Sequence, residues 1–307
     1  MRRGTHAVSD YLIDLLQTSI DGLLFGSTYA LVAIGFTVIW GLLRILNLAH
    51  GQTVMVGMFA GMVCSTIFKL PIIVGFVAAM AAACVVGIIV DRVCYRPLRN
   101  AHELVPMIAT LGFWIFLEEA FIKIYFYTWF RGYMDFPNPY TFIGYDVGPI
   151  RLRLDYLITL AVSAALVAVL YLIVYRTRFG LAMRMVAESH DIGYLMGVPV
   201  RRILTGTFLL ASAYGGAAGF LIGMASNLAS PQAGTLAVVK GLFAMILGGS
   251  GSIVGAIVGG MTLGVLELTG AYVVSFAYRD AIAMIILFAV LIVRPQGIAG
   301  KATIERV

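Results

Sequence analysis

Apolar residues fall in long blocks along this chain, and short polar stretches separate them. Runs of about 20 apolar residues are the signature of bilayer-spanning helices. The first block, Tyr11 to Leu43, is longer than one span needs and is interrupted at Asp21-Gly22 and Gly26-Ser27-Thr28. It predicts one long tilted helix, or a span followed by a broken half-helix. Arg44 follows, then Asn47, His50 and Gly51 in RILNLAHGQ. Thr53 to Phe68 predicts a short span, Ile72 to Val90 another, and Val105 to Trp129 a third that ends in Tyr125, Tyr127 and Trp129, an aromatic belt at the outer interface. Tyr156 to Tyr175 and Ile203 to Gly223 are further spans, as are Ile253 to Gly270 and Ala281 to Val293. Leu236 to Leu247 reaches only about half a bilayer at 1.5 Å per residue.

The polar stretches set direction. Arg176 to Arg202 carries five arginines (Arg176, Arg178, Arg184, Arg201, Arg202) against Glu188 and Asp191. Excess arginine in a short loop marks the cytoplasmic side, and Arg92, Arg96 and Arg99 place a second loop there. Arg131 to Asp155 balances three arginines with three acids and holds Pro137, Pro139 and Pro149, which suits an external loop. The pattern predicts an all-α, polytopic membrane protein of 8–10 segments forming one domain over residues 1–307. Simple crossings throughout give nine, with the N-terminus outside and the C-terminus inside. A faint two-half repeat pairs Asn47 to Gly61 with Gly248 to Gly264, each an interrupted short segment before a small-residue span, and such pairs point to a central pathway.

Composition agrees with this reading. The 307 residues are 61% hydrophobic and 12% charged, whereas soluble domains carry roughly 25% charged residues. The net charge of +6 fits basic loops facing anionic lipid rather than nucleic acid. Cys64, Cys84 and Cys94 have no paired or ligand-like spacing and read as packing residues. The four histidines are scattered without metal-ligand spacing. No G-x-x-x-x-G-K-[ST] loop occurs, so no nucleotide site of that kind is expected on this chain.

Within the arginine-rich loop, Gly180 precedes a helix-compatible run, Leu181 to Glu188, with Leu181 and Met185 on one face and Arg184 and Glu188 on another. Asp191 is placed to cap a second short helix, and Gly197 before Val198-Pro199 reads as its left-handed stop. The loop is either a topology-setting solvated segment or a docking knob. Glycines recur every four residues at Gly251, Gly255 and Gly259, at Gly260 and Gly264, at Gly215, Gly219 and Gly223, and at Gly57 and Gly61, a spacing that lets helix backbones approach closely. With Gly248 and Gly249 they also form a hinge. Asn47 and His50 share a helix face and are either an interhelical pair or the lining of a pathway with Gly51. Asp21, Glu118, Glu119, Lys123 and Glu267 lie within apolar blocks, where a charge costs about 2.5–3.5 kcal/mol. Glu119 and Lys123 are spaced to pair, while Asp21 and Glu267 have no local partner in sequence.

RILNLAHGQ with Gly57, Tyr95-Arg96-Pro97-Leu98-Arg99, FGLAMRMVAESHDIGYLMGVPV, LGGSGSIVGAIVGG and the closing RPQGIAG together resemble the LivH-type permease of branched-chain amino acid ABC importers, in family order from about Gly22 to Gly300. The resemblance implies a bacterial inner-membrane subunit that is not itself an enzyme. It implies a homologous LivM-type permease, two cytoplasmic ATPase subunits that bind the ATP, and a periplasmic solute-binding protein as partners. It also implies that Gly180 to Gly197 couples to the ATPase, with Arg184, Glu188 and Gly197 at matching positions. Two departures stand out: His190-Asp191-Ile192-Gly193-Tyr194 where an alanine-rich helix is usual, and Ser250 where a bulkier apolar residue is common. Relatives carrying urea or short amides leave the solute open. An ion-coupled carrier using Asp21, Glu118 or Glu267 is the rival of a different class.

Overall fold

In the computed structural model, which describes residues 2–98, 101–127, 134–294 and 296–298, most of the chain is helical. The first element, α1 (Arg2–Leu43), is one uninterrupted helix, so the long-helix alternative holds. The polar residues inside it do not break it because their needs are met within the helix: the hydroxyls of Ser27 and Thr28 donate to the carbonyls of Leu24 and Phe25 at 2.7 and 2.8 Å. Next come α2 (His50–Thr66) and α3 (Ile72–Val90), the latter running on into a π-turn at Asp91–Tyr95. Beyond α4 (Leu104–Tyr127), the chain supplies β1 (Met134–Asp135) and a hairpin of β2 (Gly144–Val147) and β3 (Ile150–Arg153), in which Tyr145 faces Leu152. The spans resume with α5 (Leu154–Arg176), followed by the short helices α6 (Arg178–Glu188) and α7 (His190–Leu195) and by α8 (Val200–Ser226). Strand β4 (Leu228–Ala229) pairs antiparallel with β1. The chain closes with α9 (Ala233–Gly248), α10 (Ile253–Val273) and α11 (Arg279–Val293).

Among the described residues, seven helices are long and apolar enough to cross a membrane. Two others are shorter, α2 with 17 residues and α9 with 16, so α9 spans about 24 Å against a hydrocarbon core of about 30 Å. Among the seven, α1 is the most enclosed, while the α4 and α11 spans leave most of their surface outside the bundle.

The elements form two halves of opposite direction. Contacts at Gly22–Gly264 and Gly26–Gly260 run α1 antiparallel along α10, and contacts of Gly87 with Phe208 and Ser212 and of Gly216 with Ala79 run α3 antiparallel along α8. In each half a long helix (α1, α8) leads through a short break into a half-helix (α2, α9) and then a full span (α3, α10). The repeat is therefore real, and its register differs from the sequence expectation. The break at Asn47 matches the one at 227–232, whereas the glycine turn before α10 matches the turn at 67–71. The second break carries no glycine, so composition could not align the two.

The seams are made of backbone. A Cβ on Gly260 would lie 2.3 Å from the Ala30 nitrogen, and one on Gly219 would lie 2.0 Å from the Val54 carbonyl oxygen. Without a hydrophobic gain between helices in lipid, such close approach is what holds them together.

Charges inside the bundle are tied down. Glu267 on α10 is fully buried. Its Oε1 accepts from Lys240 Nζ at 2.6 Å, from Tyr29 hydroxyl at 3.2 Å and from Arg279 Nε. Both partner cations are distant in sequence. Asp21 accepts from Gln17 Nε2 at 3.0 Å, one turn away. The expected Glu119–Lys123 pair is absent: both side chains are exposed on α4 and form no ion pair. The side chains of Tyr125 and Tyr127, and Trp129, Arg99 and Arg131 altogether, lie outside the described residues.

Candidate functional site

Two features stand out, a knob between α5 and α8 and an interior meeting of the half-helices. The knob starts at Thr177, whose Oγ1 accepts from the Gly180 N–H at 3.1 Å and so caps α6. Gly180 is packed onto the end of α5; a Cβ there would meet the carbonyl oxygens of Val174 and Ile173 at 2.2 and 2.3 Å. This contact fixes the rotation of α6. The buried face holds Met183 and Val186, and Leu181 is 56% exposed beside Arg184 and Glu188. The expected Leu181–Met185 face is thus corrected: helical periodicity alone did not account for the Gly180 contact that sets the phase. Arg184 Nη1 donates to the Val174 carbonyl at 2.6 Å, and its guanidinium lies 5.2 Å from the Tyr175 ring centroid. It thus completes the carbonyl end of α5.

The second short helix, α7, stops at Gly197, whose φ of +73° is the left-handed conformation expected from sequence. Val198 N–H closes the turn on the Gly193 carbonyl at 3.0 Å. The side chain of Asp191 lies outside the described residues. Tyr194, Leu195 and Met196 are 55%, 85% and 68% exposed, an apolar tip that carries no sequence signal beside the charges around it.

Inside the bundle, the chain turns back after α1 and starts α2 beside Gly35, about 12 Å short of the C-terminal end of α1 at 1.5 Å per residue. His50 is fully enclosed between Gly35 and Gly215, edge-on to Phe36 at 4.8 Å, with Thr53 Oγ1 3.5 Å from its Nδ1. The sequence placed Asn47 and His50 on one face; the structure puts Asn47 in the connection before the helix, 3% exposed. That connection is pinned by Thr110 Oγ1, which accepts from the Leu48 N–H at 3.3 Å, and by the Tyr95 hydroxyl, 3.5 Å from the Leu46 carbonyl.

Half-helix α9 starts against α2. A Cβ on Gly51 would meet the Gly234 carbonyl oxygen at 2.3 Å, and one on Gly234 would meet the Gln52 amide at 2.8 Å. Both amide atoms of Gln52 are buried with no hydrogen-bond partner among the described residues, as is Asn47 Oδ1. An unmade bond of this kind costs roughly 1–3 kcal/mol. Beside this junction, Glu118 Oε2 on α4 accepts from Thr235 Oγ1 at 2.6 Å and from Trp114 Nε1 at 2.9 Å. Gln52, Trp114 and Thr235 were missed from sequence. Thr110, Trp114 and Glu118 recur every four residues on α4, a signal buried in an apolar run.

At the other end of α9, the glycines divide their tasks. Gly249 and Gly251 have φ of +105° and +90° and make the turn. Gly248, Gly255 and Gly259 pack α9 onto α10, a Cβ on Gly259 meeting the Ala244 carbonyl oxygen at 2.1 Å. Ile298 N–H donates to the Leu247 carbonyl at 2.8 Å and so pins the end of α9 from beyond α11.

Inverted halves, interior half-helices and close-packed seams are the architecture of a transport permease. The comparisons agree in kind. The chain belongs to the family described as branched-chain amino acid transport system / permease component, whose family model matches residues 19–293. It is 33% identical over 300 residues to the high-affinity branched-chain amino acid transport system permease protein BraD of Pseudomonas aeruginosa, covering 95% of this chain and 98% of the relative. The corresponding LivH protein of Escherichia coli is 32% identical over 315 residues, covering 98% and 100%. A probable branched-chain amino acid transport permease protein LivH of Methanocaldococcus jannaschii is 28% identical over 290 residues, covering 91% and 90%. No solved structure matches the chain.

Proposed function

We propose that this chain is a permease subunit of an ATP-driven importer of branched-chain amino acids, working by alternating access. The observation that carries this is the match to amino acid transport permeases over nearly the full length of both chains. The partners are a homologous LivM-type permease, two cytoplasmic ATPase subunits that bind the ATP, and a solute-binding protein on the outer side. Arginine excess puts the α6–α7 knob and the C-terminal end on the cytoplasmic side of the inner membrane.

The knob from Gly180 to Gly197 is the coupling element within one permease domain. Arg184 serves it from behind, holding α6 onto α5, while Leu195 and Met196 present the tip to the ATPase cleft. Glu188, exposed on the same helix, lies at its rim. Switching the permease from 1:99 to 99:1 between its two access states takes about 5.5 kcal/mol, and nucleotide binding at the partners supplies it through this contact. Of the carboxylates that an ion-coupled carrier could use, Glu267 already holds two cations.

The test is uptake by the complete importer in proteoliposomes. Gly197→Leu strains the left-handed stop, and Leu195→Asp charges the apolar tip. Both variants are expected to hydrolyse ATP without accumulating leucine. Accumulation at the unmodified rate in both would remove the coupling role, and accumulation by this chain without ATPase subunits would remove the ATP-driven reading itself.

A further inference from the structure

The junction of the half-helices carries a charge pattern that its packing does not require. The fully buried carboxylates each hold a cation: Asp91 with Arg96, Asp155 with Arg153, Glu267 with Lys240 and Arg279. Glu118 is different. It is half-buried, and among the described residues it meets the neutral donors of Trp114 and Thr235 and no cation. A carboxylate inside an apolar span without a counter-charge is expensive. Gln52 is fully enclosed with neither amide atom partnered among the described residues, and its amide lies against Gly234. Both groups flank the same first turn of α9, Gln52 at Gly234 and Glu118 at Thr235. That turn has no side-chain cap, and the opening N–H groups of a helix have no partner within it.

We infer that Glu118, Gln52 and the first turn of α9 form a zwitterion-binding site on the solute pathway. The solute's ammonium pairs with Glu118, and its carboxylate takes the Gln52 amide N–H and the N–H groups of Gly234 and Thr235. Gly234 and Thr235 are adjacent in the first turn of α9, so one helix start is in contact with both ends of the site. A carboxylate at a helix N-terminus meets the positive end of the dipole. Glycine at 51 and at 234 lets the half-helices touch and leaves the amide in place. The site deepens the transport reading and rests on it. It selects amino acids over urea and amides, which lack the ammonium that Glu118 needs.

The experiment measures competition for labelled L-leucine on the complete importer in proteoliposomes. The competitors are 4-methylpentanoate, which lacks the ammonium, and leucine methyl ester, which lacks the free carboxylate. In the unmodified importer leucine is preferred over both. Glu118→Gln is expected to reduce the preference over 4-methylpentanoate roughly tenfold or more, the size of a lost charged hydrogen bond, and Glu118→Asp to restore most of it. Gln52→Leu is expected to lower the preference over the ester and leave the other unchanged. A merely structural role would lower affinity for all three compounds alike, and that result, or unchanged preferences, overturns the site. If Glu118→Gln does not co-purify with its partners, the Glu118→Asp and Gln52→Leu pair decides by the same ratios. Failure of the unmodified importer to take up leucine removes the transport reading instead, and the site with it.

Discussion

At the scale of single residues, glycine and buried charge decide most. A methyl group on Gly260 would sit among the backbone atoms of Ala30, where no side chain can swing aside. Gly260→Val is expected to part α1 from α10 and to cost at least about 1–3 kcal/mol, the range for overpacking a tight core. Gly112 on α4 has nothing within 4 Å, so Gly112→Ala is the control and should melt with the parent; equal melting temperatures for both variants would contradict the seam. Glu267→Ala strands Lys240 and Arg279 without their shared acceptor. Removing one partner of a buried pair costs about 3–5 kcal/mol, visible as a large drop in thermal stability of the purified protein. An unchanged melting temperature would mean that the cluster does not bear on folding.

At the scale of elements, the knob is the instructive case. Its existence, its two helices and the stop at Gly197 were legible in sequence, because arginine excess, helical spacing and a glycine before Val-Pro are local signals. Its rotation was not legible. That depends on Gly180 lying against carbonyls of the preceding helix, a contact that periodicity within α6 does not contain. The role of Arg184 was hidden for the same reason. Arg184→Glu is expected to loosen α6 and uncouple ATP hydrolysis from uptake, and Arg184→Lys to recover part of the coupling through a single donor. Equal uptake in both variants and the parent would show that the tie to Val174 is dispensable. The half-helix junction was half legible: Asn47, His50 and Gly51 flagged one side of it, while Gln52, Thr235 and Trp114 sit in ordinary-looking runs and become notable only when α9 and α4 are brought beside them.

At the scale of the whole molecule, the spans and the repeat were readable because lipid forces long apolar runs, but the pairing of helices was not. The partners of α1 and α8 are each far away in sequence, and small residues are common to every seam. The inverted arrangement puts the β2–β3 hairpin and the α6–α7 knob at opposite ends of the bundle. With Cys64, Cys84 and Cys94 replaced by alanine, Tyr145→Cys and Leu195→Cys are expected to react with an impermeant thiol reagent from opposite sides of sealed vesicles. Labelling of both from one side would overturn this topology.

The enclosure of α1 also bears on how the protein is made. The helix leaves the ribosome before α10, yet its longest seam is completed by α10, more than two hundred residues later. Until then Gly22 and Gly26, which α10 covers in the finished fold, must rest against lipid or insertion machinery. Birth order and packing order are therefore reversed, and a nascent chain halted after α8 would hold its most enclosed helix with that seam still open.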